Sequence, residues 1–102
     1  MYKSISQEDA KRIMDSEQDY LIVDVRQPEE YEDGHIPYSI LLPLPEVLEK
    51  AEKVLPDKRK LLLVYCRSGN RSKKACMRLD QLGYEHVLEF GGINTWKYAI
   101  EK

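Results

Sequence analysis

A cysteine at the start of a cationic loop is the feature of this sequence that could carry out chemistry. Residues 64–75 read VYCRSGNRSKKA, so Cys66 ends an apolar run and the seven residues after it are polar, charged or glycine. The segment 66–74 contains no acid and four cations, which are Arg67, Arg71, Lys73 and Lys74. Nearby positive charge favours the thiolate, the nucleophilic form of cysteine. The pattern predicts an activated cysteine beside a site for an anion.

The two cysteines of the chain have different interpretations. A free cysteine is more commonly a small buried core residue, but the polar residues that follow Cys66 argue against apolar surroundings there. Cys76 falls on the apolar side of a helical pattern, so we interpret it as a core residue, with a resolving thiol as the alternative. Two cysteines ten positions apart do not match the disulfide framework of a small secreted protein, which favours free thiols and a cytoplasmic location.

Short apolar runs alternate with helical patterns along the chain. The runs that predict strands are YLIVDV at 20–25, KLLLVYC at 60–66 and HVLEF at 86–90. The segments with helical spacing are 6–18, 43–55 and 72–83. Nearly continuous apolar strands are typical of a parallel sheet that is covered on both faces. The predicted fold class is α/β, with βαβ units and helices on both faces of a small central parallel sheet.

Local signals predict the ends and the buried faces of these helices. Ser6 followed by Asp9 is a capping pattern for the first helix, and Gly83 is a stop signal for the third. The second helical segment has an apolar stripe that we expect to face the core. Its members are Val47, Leu48, Ala51, Val54 and Leu55.

The predicted elements place Cys66 at one edge of the sheet. The strand at 60–65 ends just before it, and the next helix is predicted to begin near Ser72. Ligands of open α/β sheets bind at the carboxyl edge of the strands. A tight loop here, with Gly69 supplying the freedom of the turn, directs backbone N–H groups and the positive end of the helix dipole inward. We therefore expect the loop both to hold an anion and to activate the thiol.

Length and charge limit the other functional classes. A chain of 102 residues with 42% hydrophobic residues has the size of one domain, so we predict a single domain over 1–102. The net charge of −2 gives no basic field for nucleic acid or an anionic lipid surface. No apolar run reaches the roughly 18 residues that span a bilayer, and no signal-peptide pattern is found. We expect neither a nucleic-acid nor a membrane partner.

Three segments resemble the signatures of the rhodanese-like domain family, in the order and spacing that this family uses. They are DVRQPEEYEDGHIP at 24–37, CRSGNRS at 66–72 and GYEHVLEFGGINTW at 83–96. The resemblance covers almost the whole chain and is to the single-domain thiosulfate sulfurtransferase type. It implies a three-layer α/β/α domain and a sulfurtransferase that carries sulfane sulfur as a cysteine persulfide.

The resemblance also implies the roles of the loop residues. Cys66 is by this resemblance the catalytic residue and the sulfur carrier. The substrate-binding residues are those that follow it, namely Arg67, Ser68, Gly69, Asn70, Arg71 and Ser72.

Supporting roles are predicted for Asp24, Arg26 and His35. Asp24 and Arg26 match the family's Asp-Val-Arg element near the edge of the site, where an ion pair between Arg26 and Glu30 would fix the turn. From the residues alone, Asp24 at a strand end is a hydrogen-bond anchor. His35 holds a loop rather than acting as a base, because a preformed thiolate needs no base.

After GHIP, many members of the family continue with Gly-Ala and an Asn, whereas this chain has Tyr38 and Ser39. Near the end of the chain, we predict that Gly91 and Gly92 form a turn into a last helix whose Trp96 closes the core.

The implied reaction is a transfer of sulfur in two steps. The thiolate attacks the outer sulfur of an anionic donor such as thiosulfate, and sulfite leaves. A nucleophilic acceptor, which is cyanide, a small thiol or a protein thiol, then removes the sulfur. This chemistry requires no metal and no organic cofactor, and the two cysteines lack the spacing of a zinc site.

Two other classes of function are alternatives. Cysteine-dependent phosphatases place five residues between the cysteine and an arginine that grips phosphate, whereas Arg71 follows Cys66 after four, and the loop has no acid to protonate a leaving oxygen. A docking or sulfur-carrier module is the second alternative. The complete loop around Cys66 favours activity over docking alone.

Overall fold

Strands and helices alternate along the chain in the computed structural model, which describes residues 1–16 and 19–102. The strands are β1 (Lys3–Ser4), β2 (Tyr20–Asp24), β3 (Ile40–Leu41), β4 (Leu61–Cys66) and β5 (His86–Gly92). The helices are α1 (Gln7–Ser16), α2 (Pro28–Asp33), α3 (Val47–Val54) and α4 (Asn70–Gln81). Two 3₁₀ turns span Leu44–Glu46 and Ile93–Thr95.

The five strands form one parallel sheet in the order β1-β5-β4-β2-β3. The central strand is β4, in which residues 62–65 have no exposed surface. A strand that is buried on both faces needs apolar residues at successive positions rather than at alternate ones. This explains the continuous apolar run from which the strand was predicted.

Alternate residues of β4 face opposite helical layers, as the two-residue repeat of a strand requires. Leu62, Val64 and Cys66 pack in the cluster that contains the apolar residues of α3 and α4. Leu63 and Tyr65 pack in the cluster that contains the apolar residues of α1. Helices therefore cover both faces of the sheet, which confirms the predicted three-layer α/β/α class.

Most local signals in the helices are confirmed, and one is wrong. The Ser6 Oγ accepts the N–H of Asp9 at 3.0 Å, and Gly83 ends α4 with a φ of +90°. Leu48 was expected on the buried stripe of α3 but is 51% exposed. It lies at the edge of the stripe, whereas Val47, Ala51 and Leu55 are buried in the core cluster and Val54 packs against it. The first helix was predicted over 6–18, and its last two residues, Glu17 and Gln18, lie outside the described part of the chain.

The loop after β4 is shorter than predicted. The strand continues through Cys66, and α4 begins at Asn70 instead of near Ser72. Only residues 67–69 connect the two elements. The first turn of α4 contains no apolar residue, so hydrophobic periodicity did not show it.

The last helix predicted near the end of the chain is a single 3₁₀ turn, Ile93–Thr95. Trp96 follows it with an extended backbone, which ends the turn, and its half-buried ring packs on Phe90 at 5.4 Å between ring centroids. Among the helices of the described residues, none is long and apolar enough to cross a membrane.

Gly92 of β5 lies directly against the start of the loop. The register between β4 and β5 shifts after Val64, so that Cys66 pairs with Gly92. A Cβ at Gly92 would overlap the carbonyl group of Arg67 and the backbone nitrogen of Ser68. The backbone of the loop therefore approaches β5 as closely as the absence of a side chain allows.

Replacing Gly92 with Ala should lower the free energy of unfolding by about 2–3 kcal/mol, because rigid backbone must move to admit the methyl group. Gly83→Ala is the matched control. It has open space around its Cβ position and only the strain of a positive φ, so it should cost about 1 kcal/mol. Denaturation by urea measures both values. Equal losses in the two variants would contradict the close approach at Gly92.

Candidate active site

The side chain of Cys66 lies at the carboxyl end of β4, beneath the loop. It points toward α4, as Val64 does two residues earlier, and is 1% exposed at the edge of the apolar core. Its Sγ accepts a hydrogen bond from the Gly69 N–H at 3.0 Å and lies 3.5 Å from the Ser72 Oγ. The expectation that Cys66 avoids apolar surroundings is wrong, because the core packs against one side of this residue and the loop covers the other.

Gly69 makes the contact with the Cys66 Sγ possible. Its φ of +110° lies in the left-handed region that favours glycine, and it immediately precedes the first turn of α4. The N–H groups of residues 70–72 have no carbonyl partner within their own helix. The aligned peptide dipoles of α4, which has 12 residues, add partial positive charge at this end. The sulfur of Cys66 is therefore beside a set of groups that stabilise negative charge.

Arg71 is bound to an acid of another element instead of facing the site alone. Its guanidinium makes two hydrogen bonds to the carboxylate of Glu30 on α2, at 2.6 and 2.9 Å. These bonds lower the pKa of Glu30 to about 2, and the same pairing raises the pKa of Arg71. The positive charge of Arg71 is thus largely balanced within the structure.

The other cations of the segment 66–74 are at the surface of the protein. Arg67, Lys73 and Lys74 are exposed, as are Ser68 and Asn70. Within residues 1–16 and 19–102, no ion pair involves any of these three cations. We refer to these three exposed cations, one in the loop and two on α4, as the rim.

Asp24 and Arg26 form a buried ion pair at the end of β2. The Arg26 Nη2 lies 2.7 Å from the Asp24 Oδ2 and donates also to the Gly34 carbonyl at 2.7 Å. The predicted pair between Arg26 and Glu30 is therefore wrong. Asp24 has no exposed surface, and a charged partner with several hydrogen bonds offsets the cost of burying a carboxylate. Arg26 satisfies it, while Glu30 on α2 faces the loop and binds Arg71.

His35 connects a loop to the end of the chain. Its ring stacks on Tyr31 with centroids 3.8 Å apart, and its Nδ1 lies 2.9 Å from the Tyr31 carbonyl oxygen. The backbones of His35 and Glu101 exchange two hydrogen bonds of 2.8 Å. In the part of the chain that the structure describes, no hydrogen bond joins His35 to Cys66. This arrangement suits the loop-holding role expected from the sequence.

Glu89 of β5 is a residue of the site that sequence reasoning missed. It is 2% exposed and accepts hydrogen bonds from the Ser4 Oγ at 2.8 Å, the Ser72 Oγ at 2.9 Å and the Gly91 N–H at 2.7 Å. The segment 66–74 contains no acid, but the fold brings Glu89 close to Cys66. The Ser72 hydroxyl contacts both side chains. An ionisable residue within the apolar run HVLEF was the signal, because buried acids are rare unless they have partners.

Cys76 is a core residue, as predicted from its helical position. It has no exposed surface and packs in the cluster between the sheet and α4. Burial raises the pKa of the Cys76 thiol far above its usual range, and the nearby charge of Glu89 acts in the same direction. Cys76 is therefore an un-ionised thiol at neutral pH.

The two residues that depart from the family pattern have separate positions. Tyr38 is 91% exposed and has a φ of +70°. Ser39 is buried, with its Oγ 3.2 Å from the Tyr65 hydroxyl and its carbonyl bound by the Tyr31 hydroxyl at 2.6 Å. Ser39 therefore anchors this turn on the central strand, while Tyr38 presents an aromatic ring to solvent.

Comparison with known proteins identifies the family. The family model described as the rhodanese-like domain matches residues 6–99. The thiosulfate sulfurtransferase PspE of Escherichia coli is 41% identical over 71 residues, which are 70% of this chain and 68% of that protein. The thiosulfate sulfurtransferase GlpE of Coxiella burnetii is 37% identical over 98 residues, which are 95% of this chain and 89% of that protein.

A solved structure shows the same architecture. The rhodanese-related protein of Thermoplasma volcanium superimposes with a TM-score of 0.84 at 35% identity, and the match covers 98% of each chain. Together with the matched residues 6–99, this similarity shows that the chain belongs to the rhodanese-like domain family.

Replacing Glu30 with Gln should destabilise the protein at neutral pH by about 1–2 kcal/mol, because it removes a partly exposed but bidentate ion pair. The pKa of Glu30 is lowered in the folded state, so its contribution is present above the usual glutamate pKa of about 4.3. That contribution is lost as the pH falls toward about 2. The difference between the two proteins should shrink over this range.

Urea denaturation at a series of pH values measures this difference. Glu46→Gln is the control, because Glu46 forms an exposed pair with Lys50 on one helical face and should change stability by less than about 0.5 kcal/mol. A Glu30→Gln effect that is absent at neutral pH, or unchanged near pH 2, would contradict the role of the pair with Arg71.

Proposed function

We propose that this protein is a thiosulfate sulfurtransferase that carries sulfane sulfur as a persulfide on Cys66. The main support is the hydrogen bond of 3.0 Å from the Gly69 N–H to the Cys66 Sγ, at the positive end of α4. Donors that are already in place where negative charge must be held are an efficient means of catalysis. The names of the two relatives support the same chemistry.

The first step transfers sulfur to the enzyme. The Cys66 thiolate attacks the outer sulfur of thiosulfate, and a bond forms between this sulfur and the Sγ. The bond between the two sulfur atoms of thiosulfate breaks, and sulfite leaves with the bonding electron pair. The negative charge of the thiolate is now on the outer sulfur of the persulfide. The total charge of the reactants and of the products is therefore the same.

The second step returns the enzyme to its starting state. Cyanide, or a thiolate of a small molecule or protein, attacks the outer sulfur of the persulfide. The sulfur–sulfur bond breaks, its electron pair stays on the Sγ, and thiocyanate or a new persulfide leaves. The two steps balance without an external oxidant or reductant.

The residues of the loop and of the start of α4 have distinct roles in this reaction. The backbone N–H of Gly69 and the unpaired N–H groups of residues 70–72 hold the charged sulfur. The rim cations Arg67, Lys73 and Lys74 attract the anionic donor. The Asp24–Arg26 pair and His35 keep the neighbouring turns in position.

The phosphatase alternative is less consistent with the structure. Arg71 follows Cys66 after four residues instead of five. In addition, both ends of its guanidinium fork are occupied by Glu30. An arginine that grips phosphate needs this fork free.

The sulfur-carrier alternative shares the Cys66 persulfide and differs in its donor, which is another protein instead of thiosulfate. A docking module without chemistry would not need the ordered contacts of the Cys66 Sγ. A cytoplasmic location, where thiol acceptors are kept reduced, stays a prediction.

Two alanine variants test the assignment of the reacting thiol. Cys66→Ala should reduce formation of thiocyanate from thiosulfate and cyanide to the uncatalysed rate, because the attacking atom is lost. Cys76→Ala should keep most of the activity, since Cys76 is buried and un-ionised. Comparable loss in both folded variants would overturn the assignment. Turnover of an aryl phosphate that disappears in Cys66→Ala would instead favour the phosphatase.

A further inference from the structure

A buried acid is connected to Cys66 through a single hydroxyl group. The Ser72 Oγ lies 3.5 Å from the Cys66 Sγ and 2.9 Å from the Glu89 Oε1. Cys66, Ser72 and Glu89 are each at most 2% exposed. The three side chains thus form a continuous hydrogen-bonded chain from the sulfur to a carboxylate, separated from bulk water.

Two negative charges at the ends of this chain would oppose each other. A thiolate at Cys66 and a carboxylate at Glu89 are like charges in a buried region, where screening by water is weak. The same two groups can instead carry one negative charge between them, with one proton shared.

We propose that Glu89 accepts the proton of the Cys66 thiol through Ser72. The proton on the Sγ moves to the Ser72 Oγ, while the proton of the Ser72 hydroxyl moves to the Glu89 Oε1. The products are a thiolate, an intact hydroxyl and a neutral carboxylic acid, so the total charge is unchanged. Both hydrogen bonds persist with their directions reversed, and the thiolate then accepts from the Gly69 N–H and from the Ser72 hydroxyl.

The buried and half-buried arginines of the site are held by carboxylates other than Glu89. Two groups of α4 act on the buried pair: the charge of Arg71 acts on Cys66, and Cys76 interacts with both Cys66 and Glu89. Arg71 is balanced by Glu30, and Arg26 by Asp24. β1 contributes the neutral Ser4 hydroxyl, and α1 contributes Gln7, which binds the Phe90 and Gly92 carbonyls.

The scheme rests on the proposed function only in naming Cys66 as the reacting thiol. It supplies the thiolate that attacks the sulfur donor, and the carboxylic acid form of Glu89 removes a repelling charge while the persulfide is present. Its test uses alkylation, so the outcome does not depend on whether thiosulfate is a substrate.

The first experiment measures the rate of Cys66 alkylation by iodoacetamide over a range of pH, with peptide mapping to identify the modified residue. This small neutral reagent suits a sulfur that is nearly buried. The wild type should show a rise, a plateau and a second rise. On the plateau the pair holds one shared charge, part of which is on sulfur, and the second proton leaves only at higher pH.

Three variants distinguish this scheme from simple burial of an acid. Glu89→Gln should give a single rise, because only the thiol then titrates. Ser72→Ala should lower the plateau rate about tenfold, the effect of losing one hydrogen bond to the thiolate. Glu85→Gln, an exposed acid just before β5, should keep the wild-type profile. A single rise in the wild type, with the same midpoint as in Glu89→Gln, would overturn the proposal.

Infrared spectroscopy provides a measurement that needs no variant. In the pH range of the plateau, the wild type should show the C=O stretching band of a protonated carboxyl group. This band should disappear when Cys66 is alkylated, because the neutral thioether no longer opposes a negative charge on Glu89, whose carboxyl group then releases its proton to the solvent. Absence of such a change at every pH at which Cys66 reacts would also overturn the proposal.

Discussion

The contact between β4 and the first turn of α4, where the Gly69 N–H meets the Cys66 Sγ at 3.0 Å, is the constraint on which the site depends. It requires the strand to continue through Cys66 and the helix to begin only four residues later, at Asn70. A loop of three residues closes this gap because Gly69 adopts a left-handed conformation. It fits against β5 because Gly92 has no side chain there.

The segment 66–74 has four cations and no acid, but acids from other parts of the chain balance part of the positive charge of the site. Arg71 is held by Glu30, and Arg26 is held by Asp24. The cations of the rim are exposed, so their attraction for an anion is screened by salt. The groups that act on the Cys66 sulfur at close range are therefore the Gly69 amide, the end of α4 and the hydroxyl that leads to Glu89. Backbone groups, rather than side-chain cations, form the inner part of this site.

The layers of the fold and the position of Cys66 could be predicted because their signals are local. The runs at 20–25 and 60–66 and the stop at Gly83 identify elements without knowledge of distant contacts. The long-range side-chain contacts of the site could not be predicted in this way. Glu30 and Arg71 are 41 positions apart, and Ser72 and Glu89 are 17 apart, so their meeting depends on how α2, α4 and β5 are arranged around the sheet.

The central claim is that Cys66 carries sulfur as a persulfide, and intact-mass analysis after exposure to excess thiosulfate tests it most directly. The account predicts the addition of one sulfur atom per chain, located on Cys66 by peptide mapping and removed by cyanide or a thiol. Cys76 should remain unmodified, because it is buried and un-ionised. A folded protein that gains no sulfur from thiosulfate, from mercaptopyruvate or from a persulfide donor would contradict the account.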